Sequence, residues 1–252
     1  MIEKGFLRSR SFRAPRRRGA GRIVIAVAGV VLAAAAAARL LLSPAVALSR
    51  FEIDGSRHAR TRDVVVALEP FRGRNLVLLD LRPVSAAVER VPWVGRVTVT
   101  KEFPDALRIS ISEKTPAALL RAGDTLEWLD AKGGRIAAYD AREMPGDFPV
   151  ITAADDRLAD AAALLESLRK VVPDYARTLS EIWALPSGGF GMMDSVFRVP
   201  IQVIPGDAPK KIEALLALRE EIDSRGLTPR AIDLRFERRV VLVGAIGGGK
   251  RI

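Results

Sequence analysis

Cysteine is absent from the 252 residues and histidine occurs once, at His58. The first absence excludes disulfides, thiolate zinc sites and cysteine nucleophiles. The second leaves metal binding and imidazole acid–base chemistry almost nothing to work with. His58 stands in DGSRHARTRD, a polar stretch that reads as a solvated loop. Charge of one sign is also scarce once the N-terminus is set aside. The formal net charge is +10, yet residues 1–22 hold eight basic side chains against one acidic, while residues 43–252 hold 31 basic and 29 acidic. The main body therefore has no positive excess for phosphates to meet, and specific nucleic-acid binding is not expected. No metal and no cofactor is expected either.

Long hydrophobic runs are missing with one exception, IVIAVAGVVLAAAAAARLLL, residues 23–42. At about 1.5 Å per residue this run spans a hydrocarbon layer of about 30 Å, and its one charge, Arg39, lies near enough to the end to reach the interface. It reads as a transmembrane helix. The basic residues crowd its N-terminal flank, which places residues 1–22 in the cytoplasm as a basic tail and residues 43–252 outside it. A cleaved, secreted chain is the competing reading, because Ala45-Val46-Ala47 fits a small-x-small cleavage site. The length of the apolar run and of the basic segment favours a retained anchor. The expected location is the plasma (inner) membrane, in a single pass.

After a linker at 43–48, residues 49–117 read as a unit. Phe51 and Ile53 alternate with polar neighbours in a strand that ends at Asp54-Gly55. Thr61 is placed to cap a helix carrying Val64, Val65 and Leu68, with Pro70 as its stop. Val84, Ala87, Val88 and Val91 stand at i, i+3, i+4 and i+7, one face of a second helix with Pro83 in its first turn. Val97 and Val99 alternate in one strand and Leu107, Ile109 and Ile111 in another, joined through Pro104-Asp105. Trp93, at the joint between helix and hairpin, is expected to plug the edge of this small core.

The order strand, helix, helix, strand, strand, carried by RFEIDGSRHARTRDVVVALE, NLVLLDL and VERVPWVGRVTVTKEFPDALRISISEKTPAALL, resembles the POTRA module of the FtsQ/DivIB family of bacterial cell-division proteins. Ile53-Asp54-Gly55 stands for that family's V-x-G turn, Val91-Pro92-Trp93-Val94 for its LPWV joint, and Phe103-Pro104-Asp105-Ala106-Leu107 for its WP turn. Assembly proteins with repeated POTRA modules end in a long β-barrel, and only 140 residues follow Ser112, too few for sixteen strands.

Those residues read as a mostly antiparallel second domain, 118–245, with two helices. TLEWLDAKGGRIAAY is a hairpin around Lys132-Gly133-Gly134, similar to the family's VDxxGxxF start of its β domain. Asp155 opens a helix with Leu158, Ala161, Leu165, Leu168 and Val172 inward. LSEIWAL and VFRVPIQVI read as strands flanking a loop, PSGGFGMMD. GDAPKKIEALLALREEIDSRGL reads as a capped helix with Ile212, Leu215, Leu216 and Ile222 inside and Gly226 at its end. The class is α+β: a transmembrane helix, a POTRA-like βααββ module, and a β domain.

Enzyme signals are thin. Gly244 to Lys250 satisfies G-x-x-x-x-G-K, but Arg251 replaces the Ser/Thr that would hold magnesium and no helix follows, so residues 246–252 are expected to be a flexible tail. Asp155-Asp156 and Glu220-Glu221 read as helix-start and solvent-face acids; a cell-wall hydrolase using such a carboxylate pair is the less favoured alternative. The terminal RAIDLRFERRVVLVGAI resembles the family's IDLRYxxGxAVR, with Glu237, Arg238 and Arg239 where a glycine is expected. The resemblance implies a non-enzymatic divisome scaffold that bridges early and late division proteins. Its partners would be FtsL/FtsB-like bitopic proteins, and their contacts would fall on Leu234, Arg235, Phe236, Glu237, Arg238 and Val241. By parity, Ile232, Leu234 and Phe236 would share one strand face and Asp233 and Arg235 the other.

Overall fold

The computed structural model describes residues 20–41, 43–142, 144–237, 239–244 and 246–247. The basic tail up to residue 19 and the stretch 248–252 therefore lie outside the described residues.

Helix α1 (Ala20–Leu41) is 22 residues long and has only Arg39 in its last turn. Alanine and leucine give it helical propensity, and its described side chains, Ile23, Val24, Ile25, Val27 and Val31 among them, are exposed. Among the described residues no helix is long and apolar enough to cross a membrane.

The segment expected to be a linker is structured. A short 3-10 turn, Pro44–Val46, follows the cap of Ser43, Ala47 bridges to Asn75, and Leu48 is buried. Strand β1 (Arg50–Asp54), helices α2 (Thr61–Leu68) and α3 (Leu81–Val88), and strands β2 (Val94–Glu102) and β3 (Ala106–Glu113) then appear in the expected order. The sheet order is β1-β3-β2, with β1 parallel and β2 antiparallel to the central β3. Leu107, Ile109 and Ile111 of β3 meet Val64, Leu68, Val84 and Val88 of the two helices in one buried cluster. The opposite face is ionic: Arg108 pairs with Glu52, Asp54 and Glu102.

Thr61 does not cap α2. The cap position is Arg60, without a side-chain bond, and Thr61 Oγ1 lies 3.3 Å from Ser56 Oγ instead. The cap that does form is Asp80, whose carboxylate accepts from the Arg82 N–H before α3. Gly55 has φ +86, and a Cβ there would stand 2.2 Å from the Ile111 carbonyl oxygen, so this turn accepts glycine alone.

Strands β5 (Thr125–Asp130) and β6 (Arg135–Ala138) form the expected hairpin, β4 (Pro116–Ala122) adds a second one with β5 that was not expected, and β7 (Val150–Thr152) leads to helix α4 (Leu158–Val171) and the single turn α5 (Pro173–Ala176). After these come β8 (Leu179–Ala184), β9 (Phe190–Asp194) and β10 (Ile201–Val203). Phe190 to Asp194, read from the sequence as part of a loop, is thus a strand, with Phe190 and Met192 fully buried. Its two consecutive methionines hide the alternation: Met192 faces the core and Met193 does not. Asp155 does not cap α4; its carboxylate pairs with Arg135 at 2.5 Å. The last helix is broken at Leu218 into α6 (Ala208–Ala217) and α7 (Arg219–Ser224).

Four short strands follow among the described residues: β11 (Leu227–Thr228), β12 (Ala231–Asp233), β13 (Val241–Val243) and β14 (Ile246–Gly247). The second sheet is nine-stranded, in the order β13-β12-β10-β9-β8-β7-β4-β5-β6, mostly antiparallel with parallel pairs β4/β7, β7/β8 and β10/β12. Ile246 and Gly247, expected to begin a flexible tail, pair with β11. The two sheets share a core. Leu119, Trp128 and Ile136 belong to the same buried cluster as the first module, and Trp93 lies 6.0 Å from Trp128.

Candidate functional site at the sheet edge

Strand β13 ends the nine-stranded sheet. It pairs with β12 alone, Ala231 opposite Val243, Ile232 opposite Leu242 and Asp233 opposite Val241. Among the described residues one row of its backbone N–H and C=O groups has no sheet partner, and such a row is a template for a strand from another chain. Beneath it, Leu218, Ile222, Leu227, Val240 and Leu242 line a cleft of about 170 Å³, with Glu221 and Arg225 at its rim and paired to each other at 2.5 Å. Leu242 is half-buried and Val243 is 46% exposed. The edge is therefore apolar where an incoming side chain would land.

The expected contact residues divide. The strand ends at Asp233, so the parity expected to run on to Phe236 stops there. Leu234 is fully buried; its N–H donates to the Gln202 carbonyl at 2.8 Å and its carbonyl accepts from Lys211 Nζ at 2.8 Å. It holds the turn in place and touches no solvent. Phe236, in contrast, is 51% exposed. Glu237 is exposed and Val241 is half-buried on the edge strand itself. Arg238 lies outside the described residues.

Arg235 is turned back rather than outward. Its backbone N–H and its Nε donate to Asp233 Oδ1 at 2.9 and 3.0 Å, its Nη2 donates to Asp233 Oδ2 at 2.7 Å, and its Nη1 donates to Ser187 Oγ at 2.8 Å. The guanidinium holds the nearly buried Asp233 carboxyl below its ordinary value of 3.8, against the opposing effect of burial, and the carboxylate raises Arg235 in turn. This pair closes the turn that presents Phe236. Sequence reading missed Val243, Leu218 and Ser187, because they come together only through the pairing of β12 with β13 and the approach of the 185–189 loop. Val241-Leu242-Val243, three apolar residues after a run of charges, was the available signal.

His58 is the other correction. Its Nδ1 lies 2.8 Å from Glu113 Oε2 and its ring stacks on Trp93 at 4.7 Å, so it is a half-buried structural residue at the junction of the two sheets. Trp93 is buried, as expected, and adopts φ 69. Among the described residues no group of three or more His, Asp or Glu stands where it could hold a metal ion.

The family described as "POTRA domain, FtsQ-type" matches residues 46–114. The chain is 28% identical over 209 residues to the cell division protein FtsQ of Myxococcus fulvus, covering 77% of this chain and 71% of that protein. It is 26% identical over 236 residues to the FtsQ of Syntrophotalea carbinolica, covering 88% and 83%. It is 30% identical over 194 residues to that of an Anaeromyxobacter species, covering 71% and 64%. The matches to the first two are longer than the POTRA module and cover part of the second sheet as well.

Proposed function

We propose that this chain, which belongs to the FtsQ/DivIB family of bacterial cell-division proteins, acts as a bitopic divisome scaffold that links early and late division proteins by binding rather than by catalysis. Its kinship with FtsQ proteins makes cell division its setting. In this reading α1 crosses the plasma membrane, residues 1–22 stay in the cytoplasm, and the two sheets stand outside at the division site. The partners are FtsL/FtsB-like bitopic proteins. One of them adds a strand along β13, with its apolar side chains against Phe236 and Val243 and in the cleft under Leu242.

The observation that carries this reading is the apolar edge of β13, which ends a nine-stranded sheet, has no strand on its outer side among the described residues, and is flanked by the exposed Phe236. Exposed sheet edges of this kind recruit segments by backbone hydrogen bonds, with pockets for alternate side chains supplying specificity. Depletion of the protein in its host, followed by microscopy, tests the function. Filaments without constrictions are expected, and normal septation would refute it. A reporter fused after Ile252 tests the topology: it should work only if it functions outside the cytoplasm.

A further inference from the structure

The end of the POTRA module from which α1 emerges carries an unusual surface. Five residues separate Leu41, the last of α1, from Ala47, which is bridged to Asn75. Fully extended, that tether spans at most about 20 Å, and the 3-10 turn Pro44–Val46 shortens it. The tether is sewn to the loop after α2: Leu76 N–H donates to the Val46 carbonyl at 2.8 Å, Leu48 N–H to the Arg74 carbonyl at 2.9 Å, and Gly73 N–H to the Leu48 carbonyl at 2.9 Å. The β2–β3 turn joins the same end, because Ser49 N–H donates to the Asp105 carbonyl at 2.8 Å. The loop 72–78 and the turn 103–105 are thus held beside the start of the anchor.

Both segments display large apolar side chains to solvent. Leu78 is 69% and Phe103 61% exposed; the other large apolar side chain exposed on the module, Val66, lies in the last turn of α2, which leads into this loop. Charges of both signs share this surface: Glu102 and Asp105, which flank Phe103 in the chain, are paired with Arg108 and Arg50, and Asp80 is paired with Arg82. Arg72 and Arg74 are exposed in the loop, each guanidinium resting over a phenylalanine ring, Phe51 and Phe71. Lys101 is tied to the Val77 carbonyl at 2.8 Å. Arg72 pairs with Glu69, whereas Arg74 has no acidic partner among the described residues. Apolar tips beside Arg74, with the neighbouring carboxylates already engaged by arginines, match the boundary between headgroups and acyl chains, where apolar side chains insert and cations meet anionic lipid.

We propose that this end of the POTRA module rests on the bilayer, Leu78 and Phe103 entering the headgroup layer and Arg74 and Arg72 binding anionic lipid phosphates. The proposal rests on α1 being a membrane anchor. Docking on the bilayer would fix the direction in which the second sheet, and with it the β13 edge, points away from the membrane.

The chain lacks cysteine, so single cysteines report their own positions. Leu78→Cys, Phe103→Cys, Val31→Cys in α1 and Ser224→Cys in α7 are labelled with an environment-sensitive dye. The full-length protein is then placed in phosphatidylcholine vesicles with or without phosphatidylglycerol, with nitroxide-bearing lipids as quenchers. With phosphatidylglycerol present, the dyes at 78 and 103 should shift to the blue and be quenched by nitroxides at headgroup depth. Ser224→Cys should stay in water, and Val31→Cys should be quenched by deep nitroxides. Adding Arg74→Glu should reverse the shift at 78 while far-ultraviolet circular dichroism stays unchanged. Water-like emission at both 78 and 103, with Val31→Cys quenched, would overturn the proposal and leave the anchor standing. An unquenched Val31→Cys would overturn the anchor and this proposal with it. Equal contact in phosphatidylcholine alone, unmoved by Arg74→Glu, would overturn the assignment to anionic headgroups.

Discussion

Glu113 Oε2 lies 2.8 Å from His58 Nδ1, while its other oxygen accepts the backbone N–H groups of Arg57, His58 and Ala59 at 2.6, 2.8 and 2.8 Å. One carboxylate at the end of β3 thereby organises the loop between β1 and α2, and the His58 ring it orients stacks on Trp93. Burial alone would push the Glu113 carboxyl up; the three N–H donors and His58 outweigh it and hold the group below its ordinary value of 4.5.

A carboxyl whose folded value is depressed contributes stability that is present above its unfolded value and drains away as pH falls through the folded value. Glu113→Ala, which leaves three N–H donors without their acceptor, should cost about 2–4 kcal/mol near neutral pH, and Glu113→Gln about 1–2 kcal/mol. Below about pH 4.5 the gap between wild type and Glu113→Gln should narrow. Urea melts across a pH series would show it; a constant gap would mean that the carboxylate charge plays no part.

Trp93 combines a buried indole with a left-handed backbone, φ 69. Trp93→Ala should cost about 3–5 kcal/mol through the cavity it leaves. A non-glycine residue pays about 1 kcal/mol or more for that backbone conformation. Trp93→Gly should therefore be no less stable than Trp93→Ala, although it removes one more carbon. Thermal unfolding of the two variants decides this, and a clearly weaker glycine variant would show that the backbone relaxes when the indole is gone.

The site residues should separate by what they touch. Phe236→Ala, at an exposed position, should leave stability within about 0.5 kcal/mol yet weaken capture of FtsL/FtsB-like ectodomains by about 2 kcal/mol. Leu234→Ala, at a fully buried position, should lower stability by about 2–5 kcal/mol. A pull-down paired with circular dichroism measures both. Full capture by folded Phe236→Ala would remove this residue from the site.

Arg235→Glu should act through the fold of the turn. It strips the nearly buried Asp233 of its cation and places a second carboxylate beside it, at an expected cost of about 3–5 kcal/mol. In Asp233→Asn with Arg235→Gln most of that cost should vanish, since the pair is replaced by neutral hydrogen-bonding groups. If Arg235→Glu is as stable as wild type, the guanidinium faces outward in solution and is free to meet an acidic partner.

Much of this protein was determined by residue spacing. The apolar run of α1 and the βααββ order of the POTRA module rest on periodicity and on turn residues such as Gly55 and Pro104, and these are local properties that a chain carries with it. The buried positions Val64, Leu68, Val84, Val88, Leu107, Ile109 and Ile111 followed from the same patterns. The tertiary structure decided everything that depends on meeting across sequence distance. His58 looked solvated because Glu113, 55 residues away, is invisible from its loop. The 43–48 stretch looked like a linker until its backbone paired with the loop around Asn75. At the candidate edge, alternation predicted a strand running through Phe236, but Asp233 and Arg235 bond to each other two residues apart and end it. Leu234 keeps the buried side of Ile232, as alternation requires, while Phe236 is turned outward, because a short-range ion pair with few competing ladder bonds outweighed the strand period at the end of the sheet.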